Sequence, residues 1–347
     1  MADSTEPSPV PGRRRINLAL QGGGSHGAFT WGVLDALLED GRLEIDAVTG
    51  TSAGALNAAA VACGLASGGA DGARAMLAEL WGRVGALGRV SPFQRSWASR
   101  LTGRWRIDDS PGFNLFNLLG LWLSPAQSNP YGLNPLRGIL GDVLDMEAIR
   151  QGPVTLFVAA TDIETGNIRL FSNPDMCVEA LLASACLPHL FPPVEYQGRH
   201  YWDGGYLGNP ALWPLFYRTT TRDVLLVQVT PLRRQGLPAS PHELVDRVSE
   251  IAFNSSLIRE MRAVAFVTRL IDEGRLSGDQ YRRVLMHRVE AGDGFAGLHA
   301  STKLNAEPDF LRHLFDLGRA AATDWLATGF DGVGVRSTID IRADYLT

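Results

Sequence analysis

Gly50-Thr51-Ser52-Ala53-Gly54 sets one serine between two glycines, where a short apolar strand (Ile45 to Thr49) gives way to an alanine-rich helix (Ala53 to Leu65). A tight strand-to-helix turn holds such a side chain out of the fold, and flanking glycines relieve the crowding of a strained backbone. Ser52 therefore reads as a nucleophile. The unpaired N–H groups and partial positive charge at the start of the helix would stabilise an alkoxide or oxyanion formed there. A serine N-cap is the competing reading, since it needs only a serine ahead of a helix.

Two further motifs decide what surrounds it. Gln21-Gly22-Gly23-Gly24-Ser25-His26-Gly27 follows the first strand directly and opens the first helix. Consecutive glycines leave backbone N–H groups unobstructed beside a helix N-terminus, so the loop can bind an anion, including the tetrahedral oxyanion of acyl transfer. Dinucleotide binding competes, because Gly22, Gly24 and Gly27 satisfy GxGxxG. That reading needs an acidic residue at the end of the second strand. Here Asp46 stands at its beginning, and the strand end runs into Gly50-Thr51-Ser52. Far downstream, Asp203-Gly204-Gly205 puts a carboxylate before two glycines that permit close approach to another loop, although an Asp-Gly turn would look the same. A serine hydroxyl needs a base, and none of the seven histidines lies in a motif that would aim it at Ser52.

The elements that must position these groups alternate. Ile16 to Gln21 reads as a buried strand, Ala28 to Glu39 as a helix, then the second strand and second helix follow, the opening of a parallel α/β sheet. In such a sheet the carboxyl ends of neighbouring strands meet at one crevice, so the glycine loop and Ser52 are expected to face each other. Asp71 to Val84 looks helical. Strands are expected at Val154 to Thr161, Ile168 to Ser172, Val224 to Thr230 and Val284 to Val289. Further helices are expected at Met176 to Ala185, at Pro241 to Glu273 with a break near Asn254-Ser255-Ser256, and at Pro308 to Leu326. The expected organisation is a disordered segment 1–15, a catalytic core 16–230 and a C-terminal helical and strand extension 231–347 packed on it. Within the core, 81–137 forms an irregular insertion. Its part from Trp81 to Trp122 carries half of the eight tryptophans, with Arg83, Arg89, Arg95, Arg100, Arg104 and Arg106 against only Asp108 and Asp109. Interleaved aromatic and basic residues suit a lid, a membrane-surface contact or a partner surface; aromatics packing on the domain are the alternative.

The 347 residues are 45% apolar and 20% charged, ordinary for a globular chain. A formal net charge of -5 gives no global pull toward nucleic acid, and none is expected as a partner. Cys63, Cys177 and Cys186 form no CxxC pair, which suits a reducing compartment. No signal peptide is visible, and no uninterrupted apolar stretch approaches the ~18 residues of a membrane span. A cytoplasmic protein, or one peripheral at the inner membrane surface, is expected; a homo-oligomer is left open. Lys303 is the single lysine among 32 basic residues.

GGGSHG, GTSAG and DGG, in that order, resemble the patatin-like phospholipases. Gly54-Ala55-Leu56-Asn57-Ala58-Ala59 and the run from Ser184 to Pro193 are similar to that family's flanking segments. The resemblance spans roughly residues 16 to 230. It implies a three-layer α/β/α fold and a Ser-Asp dyad, with Ser52 as nucleophile, Asp203 as base and N–H groups of Gly22 to Gly27 as oxyanion hole. It also implies hydrolysis of lipid acyl esters of the phospholipase A or lysophospholipase kind, with no metal or other cofactor. Contact with a membrane through 81–137 would fit that substrate. Two departures stand out: His26 occupies a position that is often basic in the family, and 231–347 lies outside the shared motifs. An α/β-hydrolase triad using His242 or His287, and a non-catalytic lipid-binding scaffold, are the rival readings.

Overall fold

The computed structural model describes residues 12–120, 123–234, 236–238, 241–277, 281–295 and 298–347. Eight strands form one sheet: β1 (Arg14–Leu20), β2 (Leu43–Thr51), β3 (Thr155–Asp162), β4 (Ile168–Ser172), β5 (Val194–Tyr196), β6 (Arg199–Asp203), β7 (Asp223–Gln228) and β8 (Leu285–Glu290). Their order is β5-β6-β3-β2-β1-β7-β8, with β4 also paired to β3. β3, β2, β1, β7 and β8 run parallel, and β4 and β6 pair with β3 antiparallel. The helices are α1 (Gly27–Asp40), α2 (Ala53–Val90), α3 (Trp97–Leu101), α4 (Pro111–Gly120), α5 (Pro125–Ser128), α6 (Pro135–Val143), α7 (Met146–Gln151), α8 (Val178–Ser184), α9 (Trp213–Tyr217), α10 (Pro241–Asp272), α11 (Pro308–Thr328) and α12 (Ile341–Tyr345).

Strand residues alternate between faces, and both faces here are buried. Leu18, Leu20, Val48 and Val158 join α1, α2 and α11 in one apolar cluster. Ala19, Ala47, Phe157 and Leu226 join Leu257, Met261 and Val264 of α10 in a second. A parallel sheet covered on both faces is the three-layer α/β/α arrangement.

Several elements differ from the sequence expectation. β1 begins at Arg14, so residues 14–15 of the expected disordered segment are strand, and residues 1–11 lie outside the described residues. α2 is two helices joined at a kink with non-helical backbone at Gly68 and Gly69, in keeping with the separate helices expected at 53–65 and 71–84, and only its extension to Val90 goes beyond them. By length and composition it could cross a membrane, yet 67% of its most apolar window is buried; alanine and glycine make it apolar because it packs in the core. The insertion is a series of short helices, α3 to α5, rather than irregular chain. α10 does not break at Asn254-Ser255-Ser256, because those polar side chains accept or donate hydrogen bonds while the helix continues. The β5–β6 hairpin was not foreseen at all. Its two-residue turn, Gln197-Gly198, has positive φ at both positions (52° and 74°), the geometry of a type I′ turn.

The C-terminal part is built into the same domain. β8 pairs with β7 along its length, and α11 lies against α1 at two glycines. A Cβ on Gly32 would stand 2.0 Å from the Phe315 carbonyl oxygen, and one on Gly318 would stand 2.0 Å from that of Phe29. Gly318→Ala is therefore expected to force the helices apart and to destabilise the protein by about 1–3 kcal/mol, read as a lower midpoint in urea denaturation.

Candidate active site

Ser52 directly follows β2, with φ 55° and ψ −126°. A non-glycine residue held at positive φ costs of order 1–3 kcal/mol and persists only where its surroundings over-determine it. They do so here. A Cβ on Gly50 would meet the Gly54 carbonyl at 2.4 Å, and one on Gly54 would meet the Leu20 carbonyl at 2.2 Å. Both glycines of the motif are thus backbone contacts. The N-cap reading does not hold, since the Ser52 side chain makes no capping hydrogen bond to α2. Instead its N–H donates to Ser184 Oγ at 2.9 Å.

The glycine loop adjoins this turn. A Cβ on Gly22 would stand 2.6 Å from the Thr51 oxygen and 2.8 Å from Ser52 Cβ. Gly24 has φ 58°, and its would-be Cβ lies 2.3 Å from the Lys303 carbonyl oxygen. Gly24, Ser25 and His26 form a 3-10 turn leading into α1. The Gly22 N–H donates to Asn209 Oδ1 at 2.7 Å, and that of His26 to the Gly23 carbonyl at 3.2 Å. The Gly27 N–H is taken up by the carbonyls of Gly24 and Ser25. Among the described residues no partner is found for the N–H groups of Gly23 and Gly24.

This geometry also removes the dinucleotide reading. The space over Gly22 is filled by Ser52 and Asn209. Asp46 lies where the β1–β2 register shifts, between Ile45 and Ala47, and accepts from Thr221 Oγ1 at 2.6 Å. It is at the amino end of β2, away from the loop.

Asp203 is the last residue of β6 and is 1% exposed. β6 pairs with β3 through Asp203 and Ala160, the Asp203 N–H donates to the Cys186 carbonyl, and Thr161 Oγ1 donates to its oxygen. Its Oδ1 accepts from the Gly205 N–H at 2.7 Å. Gly204 packs on the Ala159 carbonyl and Gly205 on the Phe253 ring, 2.1 Å and 2.3 Å from would-be Cβ atoms. Burial pushes the Asp203 carboxyl up to about 6, opposed by the Gly205 N–H, the Ser52 hydroxyl and the charge of Lys303. Oδ2 is buried without a hydrogen bond of standard geometry, although the Ser52 hydroxyl is near enough to draw the pKa down.

His26 is not a surface cation. Its ring is buried 5.1 Å from that of Phe295, and Nε2 lies 2.7 Å from Thr302 Oγ1. Burial, with the charges of Lys303 and Arg234, lowers its pKa to about 3. Of the two candidate triad histidines, the one whose side chain is described lies elsewhere. His287 is buried against Asp223 and Thr338, both at 3.0 Å. Asp223 opens β7, whereas Ser52 follows the end of β2, so this pair lies at the opposite edge of the parallel strands. The His242 side chain lies outside the described residues.

Sequence reading missed the groups that brace the site. Asn209 accepts from Gly22. Gln21 Oε1 accepts from the N–H groups of Val229 and Thr230, while its Nε2 donates to Asn254 Oδ1. Thr49 and Thr51 donate to the carbonyls of Ala211 and Gly208. Glu260 accepts from the N–H groups of Leu212 and Trp213, both at 2.8 Å. The only signals were a turn-rich Gly208-Asn209-Pro210 and the position of Gln21 before the glycines. Among the described residues no cluster of His, Cys, Asp and Glu could hold a metal ion.

The aromatic and basic segment is less basic than it reads. Arg95 pairs with Glu307 and Asp309, Arg100 with Glu307, and Arg83 with Glu79 and Asp142. Trp105 packs under Arg95 and beside His313. Beside the exposed Arg89, Arg100 and Arg104 it also exposes large apolar side chains: Trp97, Leu101, Leu115, Leu118, Tyr131 and Leu133. Trp122 lies outside the described residues.

The family model for patatin-like phospholipases matches residues 18–216. Uncharacterized NTE family proteins of Mycobacterium bovis and Mycobacterium tuberculosis are each 30% identical over 203 residues, covering 58% of this chain and 45% of theirs. The chain thus spans about half the length of the curated relatives it matches. The crystal structure of VipD from Legionella pneumophila aligns with 13% identity and a TM-score of 0.45, over 97% of this chain and 73% of that one.

With a pKa near 3, His26 is neutral across the physiological range. Imidazole NMR shifts of His26 are expected to stay flat between pH 5 and 8; a titration midpoint in that window would contradict its burial.

Proposed function

The chain belongs to the patatin-like phospholipase family, a family of ester-bond hydrolases, and from that premise we propose that it hydrolyses lipid acyl esters through a Ser52-Asp203 dyad. The observation that carries this reading is the juxtaposition of a serine strained to φ 55° with a buried, half-satisfied carboxylate. Asp203 Oδ2 takes the proton from Ser52 Oγ as the oxygen attacks the ester carbonyl carbon. The carbonyl π electrons move onto oxygen, and the N–H groups of Gly23 and Gly24 receive that oxyanion. Collapse expels the alcohol, which leaves with the proton from Asp203. Water, deprotonated by the same carboxylate, then attacks the acyl carbon; collapse breaks the bond to Ser52 Oγ, which recovers the proton from Asp203 as the fatty acid leaves.

Of the six residues of the expected oxyanion loop, this reading uses Gly23 and Gly24. Gly22 and Gly27 support it through contacts already made, and His26 anchors the loop to Thr302 rather than binding an anionic headgroup. The carboxylate needs no histidine because its basicity is raised by burial. Phospholipase A or lysophospholipase activity is the proposed reaction class. The exposed apolar residues of 90–133, Trp97 at 77% exposure among them, are the proposed contact with a lipid surface.

Asp203→Asn and Ser52→Ala are each expected to lower hydrolysis of a short-chain ester by roughly four to six orders of magnitude. Retained turnover in Asp203→Asn would overturn the dyad. The sign of the pH dependence follows from a carboxyl raised to about 6. Activity should rise with pH through that value as Asp203 ionises. Because the ionised form is the one burial disfavours, stability should fall from about pH 4, where the unfolded chain ionises, to about 6, where the folded carboxyl does, and stay level above; Asp203→Asn should melt no lower than wild type at pH 8. For the lipid contact, Trp97→Ser with Leu115→Ser is expected to reduce co-sedimentation with phosphatidylcholine vesicles; unchanged binding would count against that surface.

A further inference from the structure

Lys303 lies beyond the matched 18–216 region, yet it reaches the site from two directions. It sits on a 3-10 turn, Ala300–Leu304, whose Thr302 holds His26 at 2.7 Å. Its carbonyl oxygen and Cβ press on Gly24, 2.3 Å and 3.4 Å from where a Cβ would be. Its Nζ stands 5.7 Å from the centre of the Phe253 ring, and that ring covers Gly205, next to Asp203, and packs on Tyr206 at 5.4 Å. The chain's single lysine is therefore carried against the glycine loop by its backbone and toward the Asp-Gly-Gly turn by its side chain.

The other groups around the carboxylate do not supply a cation. Ser52 is neutral. Burial pushes Cys186 up to about 12 and raises Tyr206, the Asp203 charge adding to each, so both stay protonated near neutrality. Around Lys303 itself, His26 is uncharged, and Arg234 is engaged with both oxygens of Glu250. Both Asp203 and His26 feel the Lys303 charge.

We propose that Lys303 is an electrostatic positioning residue of this site, its ammonium holding negative charge first on the Asp203 carboxylate and then on the oxyanion beside Gly24. As the Ser52 proton moves to Asp203, the carboxylate loses its charge and the carbonyl oxygen gains one. A cation on a residue that packs against the glycine loop, its Nζ beside the ring that covers Gly205, favours the ionised carboxylate before attack and the oxyanion after it. The lysine replaces, from the C-terminal segment, the charge that His26 does not carry. This rests on the dyad reading above.

The test is the pH profile of kcat/KM for an uncharged short-chain ester, so that headgroup recognition plays no part. Lys303→Met is expected to move the acid limb upward by roughly half a unit to one unit, with Lys303→Arg keeping it at the wild-type position. One lysine also permits the same test on the unmutated chain. Acetylation of amines, which removes the charge, should reproduce the Lys303→Met shift, and reductive methylation, which keeps it, should not. Lys303→Arg treated in parallel reports the share of the α-amino group. An acid limb that stays in place in Lys303→Met or after acetylation, with the thermal melt intact, overturns the inference. Such a result alongside inactive Ser52→Ala and Asp203→Asn leaves the dyad standing, whereas active dyad variants remove the premise itself.

Discussion

The structure depends on backbone meeting backbone where β1 and β2 end. The Leu20 carbonyl occupies the place of a side chain on Gly54, and the Thr51 oxygen that of a side chain on Gly22. No residue but glycine tolerates either approach. With these contacts made, Ser52 has no route to a relaxed conformation, and its side chain is presented at the crevice where parallel strands finish. Ser184 accepts its N–H, and Asn209 fixes the loop opposite. A strained serine is thus the outcome of close packing on all sides, with the cost spread over contacts that the whole α/β core supports.

The second ingredient is a carboxylate made basic by its setting. An exposed aspartate near ~3.9 is a poor proton acceptor for a serine. Asp203 is buried at the end of β6, satisfied at one oxygen and open at the other. Desolvation raises its pKa, and hydrogen bonding and a nearby lysine keep the rise moderate. The two effects oppose each other, and the base of the proposed dyad, ionised near neutrality yet still basic, lies between them. The part of the chain that supplies Phe253 and Lys303 is also the part that adds β8 and α11, so completing the core and the proposed tuning of the site fall to the same segment.

Local signals made much of this legible before any coordinates. The glycine loop, GTSAG and the strand-helix alternation are short-range patterns, because the backbone geometry they require is set by adjacent residues. The Asp203 strand was harder to see. β5 and β6 are three and five residues long, and Gln197 opens their turn where asparagine would have signalled it. Charge reading failed for a different reason. Arg95 and Arg100 have no acidic neighbours in sequence, but Glu307 lies more than 200 positions away and meets both. Lys303 and Asn209 likewise act across distances that no spacing rule spans. His26 looked like a part-time cation, and its enclosure by Phe295, Phe310 and Thr302 made it a neutral anchor.

The central claim is that Ser52 is an activated nucleophile and not a helix cap. Peptide mapping after reaction with a fluorophosphonate tests it most directly. The account predicts a single covalent phosphonyl adduct on Ser52, formed by wild-type protein with loss of fluoride and absent from Asp203→Asn at the same exposure. An unmodified Ser52 in folded wild-type protein, or an adduct on another serine, would contradict it.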